Sequence, residues 1–262
     1  MSTSDTKLTE LEQHELPFAA PCKTLATDAP LSWLKLGWQD LRRAPRQSLT
    51  YGTVMLLLSY VVSFIAWRFG NFYSLLTMLS GFVFMGPALA IGLYSISCQL
   101  QKGQTPVLGY CLREGKRHFG NALLFAMILM VVFLIWARAA SMVHVFFPVR
   151  TEAGWQDYAL FLGIGSAIGS IFCAIIFSAA AFSLPMIMDR KVDMVTAAVT
   201  SINAVLHNKK AMAVWAGLIL LSLLISFATA LLGLVILLPL IGHATWHGYQ
   251  ETIDASAWPE HD

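Results

Sequence analysis

From Ala211 to Tyr249 the chain is apolar almost throughout. Wound as one helix at about 1.5 Å per residue, the stretch would reach about 58 Å. The hydrocarbon core of a bilayer is about 30 Å thick. One crossing cannot use such a run, but two can, with a tight turn near Leu231 to Leu234 where Gly233 lets the backbone reverse. The second arm, Leu231 to Tyr249, is interrupted by Pro239 and ends in polar and aromatic residues. It reads as the last span of a membrane bundle.

Similar apolar blocks recur upstream. An apolar run of about 18 or more residues with few charges is a transmembrane candidate. Spans are predicted at about 51–67, 75–100, 121–140, 159–188, 211–231 and 233–249. The fold class is therefore all-α, a polytopic transmembrane helix bundle of six spans. Five spans fit the same loops and put the carboxyl terminus on the other side. Composition agrees, with 57% of residues apolar and 12% charged, against roughly 25% charged in soluble domains. The net charge of +2 argues for no nucleic-acid partner. The lipid bilayer is the partner that the composition demands.

Residues 1–30 are polar and punctuated by Pro17, Pro21 and Pro30, and read as a flexible cytoplasmic tail. They lack the basic start and apolar core of a signal peptide. Residues 31–250 form the membrane domain and 251–262 a short acidic tail.

Charge orients the bundle. With the amino terminus inside, Lys102, Arg113, Lys116, Arg117, Arg190, Lys191, Lys209 and Lys210 fall on the cytoplasmic side. Arg68, Arg138 and Arg150 lie toward the other side. This asymmetry follows the positive-inside rule and places the carboxyl terminus in the cytoplasm too.

A pattern repeats three times: an amphipathic helix, a basic cluster, a span and a second span. The first such helix puts Leu31, Leu34, Trp38 and Leu41 on one face and suits the membrane–water interface. The second has Leu108, Cys111, Leu112 and Phe119, and the third Val195, Ala198, Val199, Ile202, Val205 and Leu206. Each second span carries a proline that can kink it: Pro87, Pro185 and Pro239. Duplication of a membrane scaffold and a transporter repeat are both compatible with this pattern.

Small residues mark where helices can approach closely. Ala88 with Gly92, and Gly165 with Gly169, are small-x-x-x-small pairs; Ser166 and Ser170 are offset by one from the latter. They predict packing within the chain, or a homodimer seam at Gly165 and Gly169.

His243 and His247 are the best constellation for chemistry, one helical turn apart on one face. Such a pair could hold a metal or an axial haem ligand site. A metal usually needs a third or fourth ligand, and haem between helices wants its histidines on different helices. The plainer reading has both imidazoles bonding backbone or neighbouring helices. The cysteines Cys22, Cys98, Cys111 and Cys173 form no C-x-x-C pair and read as isolated thiols. No phosphate-binding glycine loop, H-E-x-x-H or G-x-S-x-G occurs. No carboxylate is predicted deep in a span, where ion-coupled pumps carry one. The expectation is a protein that is not an enzyme and has neither catalytic residues nor cofactor.

Four stretches resemble a known family. They are WxxLGWxDLRRAP at Trp33 to Pro45, GPxLAxGLYxIS at Gly86 to Ser97, SxPMxxDRxVD at Ser183 to Asp193 and LPLxGHATWHxY at Leu238 to Tyr249. Over Leu31 to Glu251 the chain is similar to the bacterial integral-membrane family labelled domain of unknown function 2189. The resemblance implies a bacterial inner membrane, brings no established activity and assigns no functional residue. Some members bear the label of a cytochrome c oxidase subunit. A haem–copper catalytic subunit is a larger bundle with several histidine-donating helices, whereas this chain has one histidine pair. Three functions follow as expectations. The first is a non-catalytic scaffold, assembly or interaction factor, with a membrane-protein partner or a second copy. The second is a permease or channel for a small or apolar solute. The third is a haem- or metal-binding subunit associated with the respiratory chain.

Overall fold

The computed structural model describes residues 17–69, 90–109, 111, 113, 119–146 and 154–261. Helices in chain order are α1 (Ala29–Arg43), α2 (Pro45–Phe69), α3 (90–101), α4 (Phe119–Phe146), α5 (Trp155–Ala180), α6 (Ser183–Asp189), α7 (Met194–His207), α8 (Lys209–Ala228) and α9 (Leu234–Thr252). Among the described residues there is no strand, only two isolated bridges, Cys22 with Ile253 and Arg190 with Glu260.

Four of these helical stretches are long and apolar enough to cross a membrane: Pro45–Ile65, Leu123–Met142, Trp155–Asp189 and Lys209–Ala228. They coincide with the expected first, third, fourth and fifth spans. Their outer faces are apolar, as in Met127, Val131 and Ile135 on α4 and Leu220, Leu224 and Phe227 on α8. The expected span 75–100 lies mostly outside the described residues, with Pro87 and Ala88; residues 90–101 of it are helical. The stretch expected as the last span is helical, as α9, and is not one of these four. Its first half is apolar and its second half carries His243, Thr245, His247 and Gln250, so it stands apart from the four.

The hairpin turn departs from expectation. Gly233 has an ordinary right-handed φ of −57°. Ala230 and Leu231 carry the reversal instead, with φ of 51° and 69°. Gly233 is needed for space: a Cβ there would lie 2.9 Å from Thr229 Oγ1 and 3.2 Å from the Ser226 Cα. Pro185 also differs from its expected role. It occupies the first turn of α6, a separate short helix, where its missing N–H costs nothing. Pro239 does lie inside a helix, α9.

In α1 and α7 most of the apolar row faces outward, and a largely different set of residues packs inward. In α1 the buried residues are Ala29, Pro30, Trp33, Gly37, Asp40 and Leu41, while Leu31 and Trp38 are exposed. In α7 the buried set is Met194, Thr196, Ala197, Thr200, Ser201, Ala204 and Val205, while Val195, Ile202 and Leu206 face out. Lipid is as apolar as a protein core, so a leucine gains little by turning inward. Small and hydrogen-bonding residues therefore decide which face packs.

The predicted tails are not free where they are described. Lys23 N donates to Thr252 O at 2.8 Å, and Asp254 N to Pro21 O at 2.9 Å. Ala20 N donates to Thr200 Oγ1 at 3.0 Å, and Leu25 N to Asn208 Oδ1 at 2.8 Å. Trp258 is buried, and Lys191 N donates to Pro259 O at 2.8 Å. The segments before α1 and after α9 thus form one cap over α6, α7 and the start of α8. Residues 1–16 lie outside the described residues.

Candidate functional site

α9 carries both candidate histidines, and its position follows from bare backbone. A Cβ on Gly37 of α1 would lie 2.8 Å from Ala244 N and 2.9 Å from Leu240 O. On the other side of α9, Gly52 of α2 lies directly against the Val235 carbonyl. That carbonyl has no helical donor, because residue 239 is proline. Gly242 admits Leu93 of α3, whose Cδ1 would lie 2.8 Å from a Cβ there. Gly92, one of the small residues singled out by spacing, packs against the Tyr51 ring.

His243 is fully buried where these helices meet. Its Nε2 lies 2.8 Å from Ser48 Oγ on α2 and its Nδ1 2.8 Å from Ser97 Oγ on α3. Both serines are buried. A neutral imidazole has one N–H and one lone pair, so one serine receives its proton and the other donates to it. Both ring nitrogens are thereby occupied. His247, a turn further on, reaches a different helix: its Nε2 lies 2.8 Å from Asp40 Oδ2 on α1. The pair does not converge on one point but ties α9 to α1, α2 and α3. A metal or haem iron at His243 would have to displace a serine. Among the described residues no group of three or more His, Cys, Asp or Glu is placed to hold a metal.

Around the pair lies a layer of aromatic rings that sequence reasoning did not single out. Trp33 meets Trp215 edge-on at 5.5 Å and Phe182 at 6.1 Å between ring centroids. Its Nε1 donates to Glu251 Oε2 at 2.6 Å, and its ring lies against Gly248. Trp246 Nε1 donates to Gln101 Oε1 at 3.0 Å. Tyr249 OH donates to Asp189 Oδ2 at 2.8 Å. Arg190 joins that carboxylate at 3.2 Å and Glu260 at 3.4 Å. A clue was present in sequence: Trp33, Asp189, Arg190 and Tyr249 all sit within the four motif stretches, as do Gly37, Asp40, Gly92, Ser97, Gly242, His243 and His247. Those stretches meet in space.

The other expected packing residues fall elsewhere. No residue of α5 is buried within the chain. A Cβ on Gly165 would meet nothing within 4 Å, and one on Gly169 only Trp136 Nε1 at 3.9 Å. Ser170 donates back to Ala167 O at 2.8 Å, and Ser166 is exposed on the same helix.

Residues 75–189 match the model of a family described as predicted integral membrane protein (DUF2189). The match covers the third of the four motif stretches through Asp189 and the whole of the second. No curated protein and no solved structure matches the chain. Over that stretch the chain is similar to a family of predicted integral membrane proteins, and its four long apolar helices agree with a place in a membrane.

Proposed function

We propose that this chain is a non-catalytic scaffold or assembly factor of the inner membrane, crossing it six times with both ends in the cytoplasm. The observation that carries the reading is the closed state of its most chemical residue. His243 is fully buried, and each ring nitrogen is spent on a serine of another helix. A permease or a redox subunit would present such a group to solute or cofactor. Here it holds helices together.

Two further features support the reading. No residue of α5 is fully buried, Ser166 and Ser170 are exposed beside the half-buried Gly165 and Gly169, and small residues let a partner helix come close in lipid. The partner is another membrane protein or a second copy. For the topology, Pro21 and Asp254 are hydrogen-bonded to each other. Ends that meet lie on one side, and a chain between them crosses an even number of times. Lys102, Arg190, Lys191 and Lys209 lie toward this same end of the bundle, and basic residues favour the cytoplasmic face.

The test is purification of the full chain in mild detergent, followed by native mass spectrometry. A defined complex or homo-oligomer that dissociates on Gly165→Leu or Gly169→Leu is expected. A monomer without partner overturns the proposal.

A further inference from the structure

Away from the histidines, a groove of about 650 Å³ runs along the bundle surface between α5 and α8. Cys173 and Phe177 form one wall, Met212, Ala216 and Leu223 the other, and Lys209 closes one end. The volume lies within the roughly 300–1,000 Å³ of small-molecule sites. A water-soluble ligand would find almost nothing polar on these walls, and the helices that form them face lipid.

Two observations select the occupant. The first is depth. From Met212 to Leu223, α8 rises about 17 Å at 1.5 Å per residue. Half of a bilayer's hydrocarbon core is about 15 Å. The apolar part of the groove therefore matches one leaflet. The second is charge. Lys209 is exposed and makes no ion pair with any described residue. It opens α8, at the end of the groove. Leaflet-deep apolar walls ending in an unpaired cation at headgroup level suit an anionic lipid. A partner helix would fill the groove and leave Lys209 without an anion.

We propose that this groove holds one acyl chain of an anionic phospholipid from the leaflet on the Lys209 side, with the lipid phosphate on Lys209. The test uses the full chain in detergent, with phosphatidylglycerol and phosphatidylcholine of identical chains supplied together and retention read by native mass spectrometry. One phosphatidylglycerol is expected to be retained in preference. Lys209→Gln should reduce that preference about fivefold, the usual worth of one basic residue near an anionic surface. Ala216→Phe should lower retention of both lipids, because the chain loses its room. Should Ala216→Phe also lower the thermal midpoint, Ala213→Phe on the exposed wall makes the same test without touching the core. Equal retention of the two lipids overturns the proposal. So does a preference that survives Lys209→Gln, or retention unchanged by either phenylalanine.

Discussion

His247 Nε2 and Asp40 Oδ2 lie 2.8 Å apart, although 207 positions separate them in sequence. The carboxylate side chain is 6% exposed and the imidazole 17%, so water screens the pair little. Removing one member of a buried pair strands the other. Asp40→Ala should lower unfolding stability by about 3 kcal/mol, and Asp40→Asn, which keeps an oxygen acceptor, by about 1 kcal/mol. Chemical denaturation in mixed micelles measures both, and equal losses would show that the carboxylate charge contributes nothing.

His243 is expected to be energetically coupled to each serine. Ser48→Ala or Ser97→Ala leaves a buried ring nitrogen without its partner, at a cost of about 1–2 kcal/mol. In a His243→Leu background the same serine change should cost about 1 kcal/mol less, since there is no longer a nitrogen to strand. A double-mutant cycle reads the difference directly. Strict additivity would mean that the two 2.8 Å contacts carry no energy.

Asp193 caps α7, accepting from Val195 N at 2.9 Å and Thr196 N at 3.0 Å. Partial burial alone would raise its pKa, but the hydrogen bonds from Thr196 and Val195 outweigh that and hold it below its usual 3.8. A depressed carboxylate stabilises the fold fully above its unfolded value and loses that contribution as pH falls through its folded one. Asp193→Ala should cost about 1 kcal/mol at neutral pH. The gap from the unaltered protein should close as the medium is acidified below 3.8. Unfolding curves at neutral and acid pH check this; a gap that stays constant would remove the carboxylate from the account.

The α8–α9 turn offers the opposite sign. Ala230 and Leu231 hold left-handed backbone that costs roughly 1 kcal/mol or more for a residue with a side chain. Ala230→Gly should raise stability by about 1 kcal/mol. The Ala230 carbonyl keeps its hydrogen bond from Tyr60 OH, at 2.7 Å, in either form. Gly233→Ala, at ordinary φ but in crowded space, should lower stability. Thermal midpoints of the two variants should move in opposite directions, and a gain for Gly233→Ala would show that the turn does not need the space at this glycine.

The membrane character was legible from run length and charge. The apolar blocks at 51–67, 121–140, 159–188 and 211–231 all correspond to long helices. The inner faces of α1 and α7 were not. Helical spacing groups Leu31, Leu34, Trp38 and Leu41, yet Trp33, Gly37 and Asp40 turn inward with Leu41. In water the apolar row would win, but beside lipid it has no strong preference. The face is chosen by Gly37, which lets Ala244 approach, and by Asp40, which His247 requires.

The histidine pair was half legible. Spacing located both imidazoles on one side of α9. It could not show that they answer to different helices, because Ser48, Ser97 and Asp40 are ordinary residues in sequence and special only once α1, α2 and α3 converge. Glycine spacing had a similar limit. Gly165 and Gly169 mark a surface that backbone can approach, while the glycines that meet backbone or rings within the chain include Gly37, Gly52, Gly92 and Gly248, of which spacing singled out only Gly92.

The contact of Trp33 with Gly248 and Glu251 also sets an order of events. A ribosome adds roughly 5–20 residues per second. The 218 positions between Trp33 and Glu251 therefore take about 10–40 s to make. For that interval α1 lacks its main partner, and its Trp33 can meet only Phe182 and then Trp215 as those helices are made. α1 is fully seated only once α9 is made, and a chain cut short before α9 leaves Gly37 without Ala244 and Trp33 without Gly248 and Glu251. Synthesis through α9 is thus written into the fold as a contact that no shorter chain can make.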